Sequence, residues 1–353
     1  MFIDSDVTIF SPVRQVYNFE TTISSGSTSG FTTLPPLLKT GFTTVHYLGV
    51  RGNDTTMQFN RCAPVVNIAN DTTVGAVINV NAAADIIVSG QRIDWDSRYV
   101  KSVQFFQVTL NGVTSNTATI TAVDVNNSFI LNAGTRGDQA DRDYSKWATS
   151  LFLTNGTTVT GQKGVATGST VTEGYVVEFY PGVLANNAQH VTGTIASGSN
   201  SSSIAITPVS TNKFLTFVTG YRVTSASTDS RLPPLLGNTV GSAINITRGA
   251  VIATDTICNV DIIDFKDTFL SKVTFNEAVV DTSTTISGST TISIVNLNKA
   301  IMAYEGMQCE VNSISMGPVS TTVKFSNSTT VFSERGSLGA NRIVNFVSFL
   351  NFL

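Results

Sequence analysis

The chain has 353 residues, of which only 13% are charged and 41% are hydrophobic, and its formal net charge at pH 7 is −3. This low charge argues against a nucleic-acid-binding surface, and the hydrophobic content argues against a disordered chain. The three cysteines fall at unrelated positions, so we expect buried thiols, no disulfide framework, no metal site and no cofactor.

The N-terminal segment 1–14 is predicted to form an arm that precedes the folded units. It has neither a basic n-region nor an apolar h-region, so we expect no secretory signal and synthesis in the cytoplasm. Elsewhere in the sequence no window approaches 18 consecutive apolar residues, which predicts no membrane span.

Along the chain, one pattern occurs four times: an apolar segment that ends on a glycine, followed two residues later by arginine or glutamine. The four segments read TVHYLGVR, SFILNAGTR, LTFVTGYR and IMAYEGMQ, and their glycines are Gly49, Gly134, Gly220 and Gly306. These glycines are 85, 86 and 86 residues apart, so the sequence indicates four copies of one unit.

Each unit shows a succession of strand patterns. The first ends at a turn containing Gly26, Gly112 or Gly198, and we interpret it as one arm of a hairpin. The glycine-terminated segment described above is the third strand. The second, fourth and closing strands are marked by apolar residues at matching positions: Leu37, Val123, Val209 and Val295; Val74, Val159, Ile244 and Val331; Trp95, Phe179, Phe265 and Phe349.

Helical periodicity is nearly absent, so we predict an all-β chain of four tandem small β-sandwiches, Ig-like or jelly-roll-like, of about 85 residues each. The predicted boundaries of the four units are 15–97, 103–180, 188–266 and 272–353. The short linkers between them are compatible with a rod and equally with a compact set of folded-back units.

The repeats also pair an arginine with an acidic residue of the closing strand. The pairs are Arg51 with Asp94, Arg136 with Glu178, and Arg222 with Asp264. The fourth copy has Gln308 and Ser348 instead, and joint loss is expected of an ion pair because one partner alone would be an uncompensated charge. We therefore predict a salt bridge within each of the first three repeats; the alternative is a repeated ligand site that uses the arginine and the carboxylate.

The sequence contains no recognisable catalytic motif, and its two histidines, His46 and His190, occupy different positions in the repeat. We therefore expect no catalytic residues and no enzymatic activity. A glycosidase with two carboxylates needs no sequence motif, so an enzyme that degrades polysaccharides is retained as an alternative.

Two segments are candidates for contacts with other subunits. The C-terminal segment is more apolar than a free chain end should be, and its interface candidates are Phe349, Leu350, Phe352 and Leu353. The segment DRDYSKW at 141–147 supplies Tyr144 and Trp147. In each case the alternative is that the segment belongs wholly to its own domain.

The succession of ITAV or IAITPV, the G-x-R strand, NGTTVT and VVEF resembles the tandem β-sandwich repeats of virion structural proteins of tailed bacteriophages. This resemblance implies a non-enzymatic component of the capsid decoration, collar, tail or fibre, assembled on the virion in the host cytoplasm. The implied partners are other virion proteins, copies of the chain itself and the host cell surface, without nucleic acid. The alternative is a host-surface adhesin or glycan-binding module.

Overall fold

The described residues of each of the four repeats form six β-strands, which we designate A to F in chain order. In the computed structural model, residues 11–52, 58–209, 214–240, 242–280, 285–310, 320–338 and 342–352 are described. The predicted all-β class is confirmed.

The strands of repeat 1 are β1 (Val13–Ile23), β2 (Ser29–Thr33), β3 (Thr43–Gly52), β4 (Val65–Asn70), β5 (Thr73–Val77) and β6 (Ile86–Trp95). Those of repeat 2 are β7 (Val100–Asn111), β8 (Ser115–Thr119), β9 (Ser128–Gly137), β10 (Ser150–Asn155), β11 (Thr158–Gln162) and β12 (Ser169–Phe179). Single-turn helices precede strand D in these two repeats: α1 (Phe59–Cys62) and α2 (Tyr144–Trp147).

The strands of repeat 3 are β13 (Gln189–Ile195), β14 (Ser201–Ala205), β15 (Phe214–Val223), β16 (Leu235–Val240), β17 (Ala243–Thr247) and β18 (Thr256–Asp264). Those of repeat 4 are β19 (Leu270–Val280), β20 (Ser287–Thr291), β21 (Ala300–Cys309), β22 (Thr321–Asn327), β23 (Thr330–Arg335) and β24 (Ile343–Phe352).

Within every repeat the strands divide between two antiparallel sheets. Strand F lies between A and C, and strand E lies between B and D. The two sheets enclose apolar cores, which in repeats 2, 3 and 4 form separate clusters. Because A and B belong to different sheets, the turns at Gly26, Gly112 and Gly198 carry the chain across the sandwich, and the predicted hairpin is wrong.

Sheets also cross the repeat boundaries. Strand D of repeat 1 pairs with strand C of repeat 2, strand D of repeat 3 with strand C of repeat 4, and strand D of repeat 4 with strand C of repeat 1. This last pairing joins the end of the chain to its beginning. At the remaining boundary Thr219 and Asn259 of repeat 3 donate to the backbone oxygen of Leu151 in repeat 2, so the four repeats form a closed ring. Its five sheets are arranged in a propeller-like manner.

The prediction of four self-contained tandem sandwiches therefore needs correction. Three of the sheets contain six strands, three from each of two neighbouring repeats, so the repeats are not independent folding units. The first predicted boundary also shifts, because β1 begins at Val13, inside the predicted arm, while residues 1–10 lie outside the described part of the chain.

The ends of the four F strands meet at the centre of the ring. Trp95 and Phe179 have ring centroids 5.9 Å apart, Phe179 and Phe265 5.3 Å, and Phe265 and Phe352 5.2 Å. Each of these residues is at most 2% exposed. One aromatic side chain from every repeat therefore closes this end of the ring axis.

The structure corrects two strand positions. The predicted second strand is displaced, because strand B ends at Thr33, Thr119, Ala205 and Thr291, and Leu37, Val123, Val209 and Val295 follow it outside regular strand. The closing strand of repeat 4 ends at Phe352, whereas the sequence comparison placed its end at Phe349. Strand D was not predicted as a separate element.

Candidate functional site at the repeat seams and the ring axis

The recurrent glycine lies where one repeat touches the preceding one, a contact that we call the seam. A Cβ atom added at Gly49, Gly134, Gly220 or Gly306 would lie 2.2, 2.3, 2.2 or 2.1 Å from a backbone carbonyl oxygen of the preceding repeat. Only glycine permits this approach of two backbones.

The same glycines have positive φ angles of 129°, 115°, 144° and 113°, a region that favours glycine. The pairing of strands C and F shifts register immediately beside each of them, as at a β-bulge. Because a bulge bends a strand, it turns the second half of strand C towards the neighbouring repeat. The sequence pattern that revealed the repeat is thus the element that joins the repeats.

The residue two positions after each glycine also reaches across the seam in three repeats. The Nη1 atom of Arg51 lies 2.5 Å from the Oε2 atom of Glu334 and donates to the hydroxyl of Thr322. Arg136 donates to the amide oxygen of Asn79 over 3.1 Å. Gln308 donates to the backbone oxygen of Arg248 over 3.4 Å.

The salt bridges predicted within repeats 1 to 3 are not formed. Strand C runs antiparallel to strand F, so that Thr43 is opposite Asp94 whereas Arg51 is opposite Ile87. The arginine and the acid therefore lie at opposite ends of the strand pair, about 23 Å apart at the usual rise per residue. Arg136 instead pairs with Glu173, with 3.3 Å between Nη2 and Oε1.

The three acids have other partners at the far end of strand F. Asp94 accepts from Arg92 over 3.1 Å, Glu178 accepts from Lys101 over 2.7 Å, and Asp264 accepts from Asn186 over 2.6 Å. In repeat 4 the equivalent position is Asn351, opposite Ala300, and not Ser348. The Nε atom of Arg222 is buried without a hydrogen-bond partner in the described part of the chain, and burial lowers the pKa of this guanidinium.

A second repeated feature, missed in the sequence, is a buried cation that follows or ends strand E. Lys163 donates to the backbone oxygens of Leu110, Thr167 and Gly168. Arg248, which is fully buried, binds the backbone oxygens of Ala196, Ser199, Ile252 and Thr254. The equivalent residue is Arg335 in repeat 4, whereas repeat 1 has the apolar Ile78 at this position. The four positions are 85, 85 and 87 residues apart, and this spacing was the signal available in the sequence.

The predicted interface residues are mostly covered by the chain itself. Phe349 and Leu350 are fully buried and Phe352 is 2% exposed, so the C-terminal segment is an internal strand. Leu353 lies outside the described residues. Tyr144 is 2% exposed, and its ring centroid is 5.1 Å from that of Phe59; that of Trp147 is 3.6 Å from the same ring.

A cavity of about 230 Å³ lies on the ring axis, with strand C of every repeat in its wall. The segments that carry the recurrent glycines contribute His46 and Tyr47, Leu131 and Asn132, Phe217 and Val218, and Tyr304. Phe59 and Trp147 of the two short helices complete one side. None of the described residues that line the cavity is Asp, Glu, Lys or Arg.

Three titratable groups, two of them buried and one partly buried, lie at seams between repeats. Burial raises the pKa of Glu305 to about 8, although hydroxyl groups of Thr216, in the neighbouring repeat, and Ser348 donate to its carboxyl group. Burial lowers the pKa of His46 to about 4, and its Nε2 atom donates to the backbone oxygen of Met302 over 2.7 Å.

The third group is His190, whose Nδ1 atom lies 2.7 Å from the carboxylate of Asp261. Burial alone would lower its pKa, but the charge and hydrogen bond of Asp261 raise the pKa to about 9. Asp261 also accepts from the backbone amide of Ile130 in repeat 2 over 2.7 Å. Each of these side chains therefore helps to hold two neighbouring repeats together, and does so in only one of its own protonation states.

Within the described residues, no cluster of three metal-ligating side chains occurs, and no helix is long and apolar enough to cross a membrane. The sequence matches no protein-family model and no curated protein.

Proposed function

We propose that the chain is a non-enzymatic structural component of a tailed-phage virion, and that it assembles with copies of itself and with other virion proteins through sheet edges. Its place in the particle would be the capsid decoration, the collar, the tail or a fibre. The observation that carries this proposal is the position of strands A and B, which lie at the edges of the sheets in every repeat, whereas among the described strands C to F only β10 and β15 are also at an edge.

The edge strands of the repeats carry exposed apolar side chains. Phe31, on β2, is 59% exposed, and Phe105, on the 12-residue edge strand β7, is 52% exposed. A long edge strand offers unpaired amide and carbonyl groups to another chain, and an exposed aromatic side chain adds apolar area to such a contact. These features favour association with other chains over a monomeric state.

The low charge of the chain supports the same proposal. Thr, Ser and Asn side chains can form hydrogen bonds across an interface without the desolvation cost of a charge. A closed ring supports it too, because it fixes the relative positions of the four outer faces, and several weak contacts from one rigid body add to a strong one.

The experiment compares the assembly of the purified chain with that of Phe105→Lys, using analytical ultracentrifugation. The matched control is Val251→Lys, since Val251 is 61% exposed but lies outside the strands. We expect Phe105→Lys to reduce assembly and Val251→Lys to leave it unchanged. Labelled antibody against the chain should bind intact phage particles; a monomeric chain that is absent from particles would contradict the proposal.

A glycan-binding module is the second candidate, because a shallow site lies between repeats 1 and 2. The rings of Phe105 and Tyr175 have centroids 5.6 Å apart, and Asn70 and Asp71 line the same site. Aromatic faces with an amide and a carboxylate beside them suit a sugar. Saturable binding of purified host glycans, lost in Phe105→Ala, would favour this candidate, and cleavage of those glycans would favour a polysaccharide-degrading enzyme.

A further inference from the structure

The cavity on the ring axis has the size of a small-molecule site. At about 230 Å³ it is larger than a 150 Å³ protein cavity that holds benzene, and smaller than the pockets that hold drug-sized ligands. One or two fused rings would fill it.

The wall of the cavity is largely aromatic. Phe59, Trp147, Phe217 and Tyr144 contribute rings from three repeats, and aromatic side chains favour edge or offset contacts with another ring. Phe217 of the wall packs on Phe129 with ring centroids 5.1 Å apart, and Phe129 stacks on Phe179 of the aromatic cluster at the ends of the F strands, so rings close this side of the cavity.

Two hydroxyl groups are free to orient a ligand. Tyr47 and Tyr221 line the cavity, and neither hydroxyl forms a hydrogen bond with another described residue. Tyr304, which also lines the cavity, differs because its hydroxyl donates to Asn345 over 3.2 Å. Burial raises the pKa of Tyr47 and Tyr221, so both remain neutral at physiological pH.

The wall of the cavity also disfavours a charged ligand. Because the described lining residues include no Asp, Glu, Lys or Arg, an ion would lose its hydration without gaining a counter-charge. His46 supplies none, since burial keeps its imidazole neutral at pH 7.

From the size, the aromatic wall and the two free hydroxyl groups, we propose that the axial cavity is a binding site for a neutral aromatic molecule of one or two rings that carries a hydroxyl or an N–H group. Tyr47 and Tyr221 orient the polar group, and the rings around them hold the apolar body. This site is independent of the assembly role proposed above.

The test measures binding of 4-fluorophenol to the full chain by ¹⁹F NMR. We expect saturable binding with a Kd of about 0.1–1 mM, which is typical of so small a ligand. Under the same conditions 4-fluorobenzoate, which has a similar size and a negative charge, should not bind. Equal binding of the two probes, or no saturation with 4-fluorophenol, would overturn the proposal.

Variants locate the site. Tyr221→Phe removes one hydroxyl and should weaken binding about fivefold, whereas Tyr180→Phe, on an exposed surface, should not change the Kd. Val218→Trp fills the cavity and should abolish binding. If Val218→Trp does not show the thermal unfolding transition of the native chain, Val50→Phe takes its place. Unchanged binding in a folded cavity-filled variant would overturn the proposal.

Discussion

Gly134 lies against the backbone of Pro64 in the preceding repeat, where an added Cβ atom would be 2.3 Å from the carbonyl oxygen of Pro64. Gly49, Gly220 and Gly306 have the same relationship to Thr321, Thr149 and Pro234. A contact that recurs at all four seams, including the one that joins the last repeat to the first, defines the ring.

Replacing Gly134 with alanine should therefore open or strain a seam. We expect Gly134→Ala to lower the free energy of unfolding by about 2–5 kcal/mol, because a positive φ and a backbone overlap both oppose the methyl group. Chemical denaturation measures the change. Gly237→Ala is the control, since a Cβ there meets nothing closer than 3.5 Å; equal losses in the two variants would contradict the role of the seam.

Arg51 should be coupled to Glu334, in repeat 4, and not to Asp94, in its own repeat. A double-mutant cycle with Arg51→Met and Glu334→Gln should give a coupling free energy of about 1 kcal/mol, since both groups are partly buried. The cycle of Arg51→Met with Asp94→Asn should give a value near zero. Coupling in the second cycle alone would instead support the predicted salt bridge between Arg51 and Asp94 within repeat 1.

Glu305 should make the stability of the chain depend on pH. Its pKa is raised from 4.5 to about 8 in the folded state, so the folded chain binds more protons than the unfolded chain between these values. The free energy of unfolding should then fall as pH rises through this window, by at most about 1.4 kcal/mol per pH unit from this group.

The glutamine variant isolates this contribution. Glu305→Gln keeps the shape and cannot ionise, so the difference in stability between native chain and variant should change steadily from pH 4.5 to pH 8. His190 is present in both proteins, and its own titration cancels in the difference. If the stability difference between the native chain and Glu305→Gln does not vary with pH, the pKa of Glu305 is not raised in the folded chain and this prediction is wrong.

Arg248 should stabilise the turn between strands A and B of repeat 3. Arg248→Met removes a buried guanidinium that donates to the backbone oxygens of Ser199, Ile252 and Thr254, and we expect a loss of about 2–4 kcal/mol in the free energy of unfolding. Arg342→Met, at a side chain that is 41% exposed, should cost under about 1 kcal/mol. Similar losses in both would argue against the buried cation as an anchor.

The sequence predicts the repeat, its all-β character and the position of strand C, because apolar alternation and a spaced glycine are local signals. It does not predict the ring, since the pairing of Thr322 with Gly49 joins residues at opposite ends of the chain. Two of the four residues whose carbonyl oxygens face the recurrent glycines are prolines, Pro64 and Pro234, but nothing in the sequence shows which repeat they face.

The salt-bridge prediction was wrong for a related reason. Comparing the four repeats in sequence places Arg51 and Asp94 in two different strands, but it does not show that the two residues lie at opposite ends of the strand pair. In repeat 4 the alignment was also displaced by three residues, so that Ser348 stood in the place of Asn351. Of the axial cavity, the sequence predicted only that His46 lies in an apolar strand, because the wall forms when four repeats meet.

Closure of the ring is tested most directly by a zero-length crosslink between Lys324 and Glu20, which are 304 residues apart in the chain and whose Nζ and Oε2 atoms lie 2.5 Å apart. A carbodiimide should join these side chains within a single chain at high dilution, as mass spectrometry of the digested monomer would detect. Lys101 and Glu178, 2.7 Å apart within repeat 2, are the internal control. A Lys101–Glu178 crosslink without the Lys324–Glu20 crosslink would contradict the closed ring.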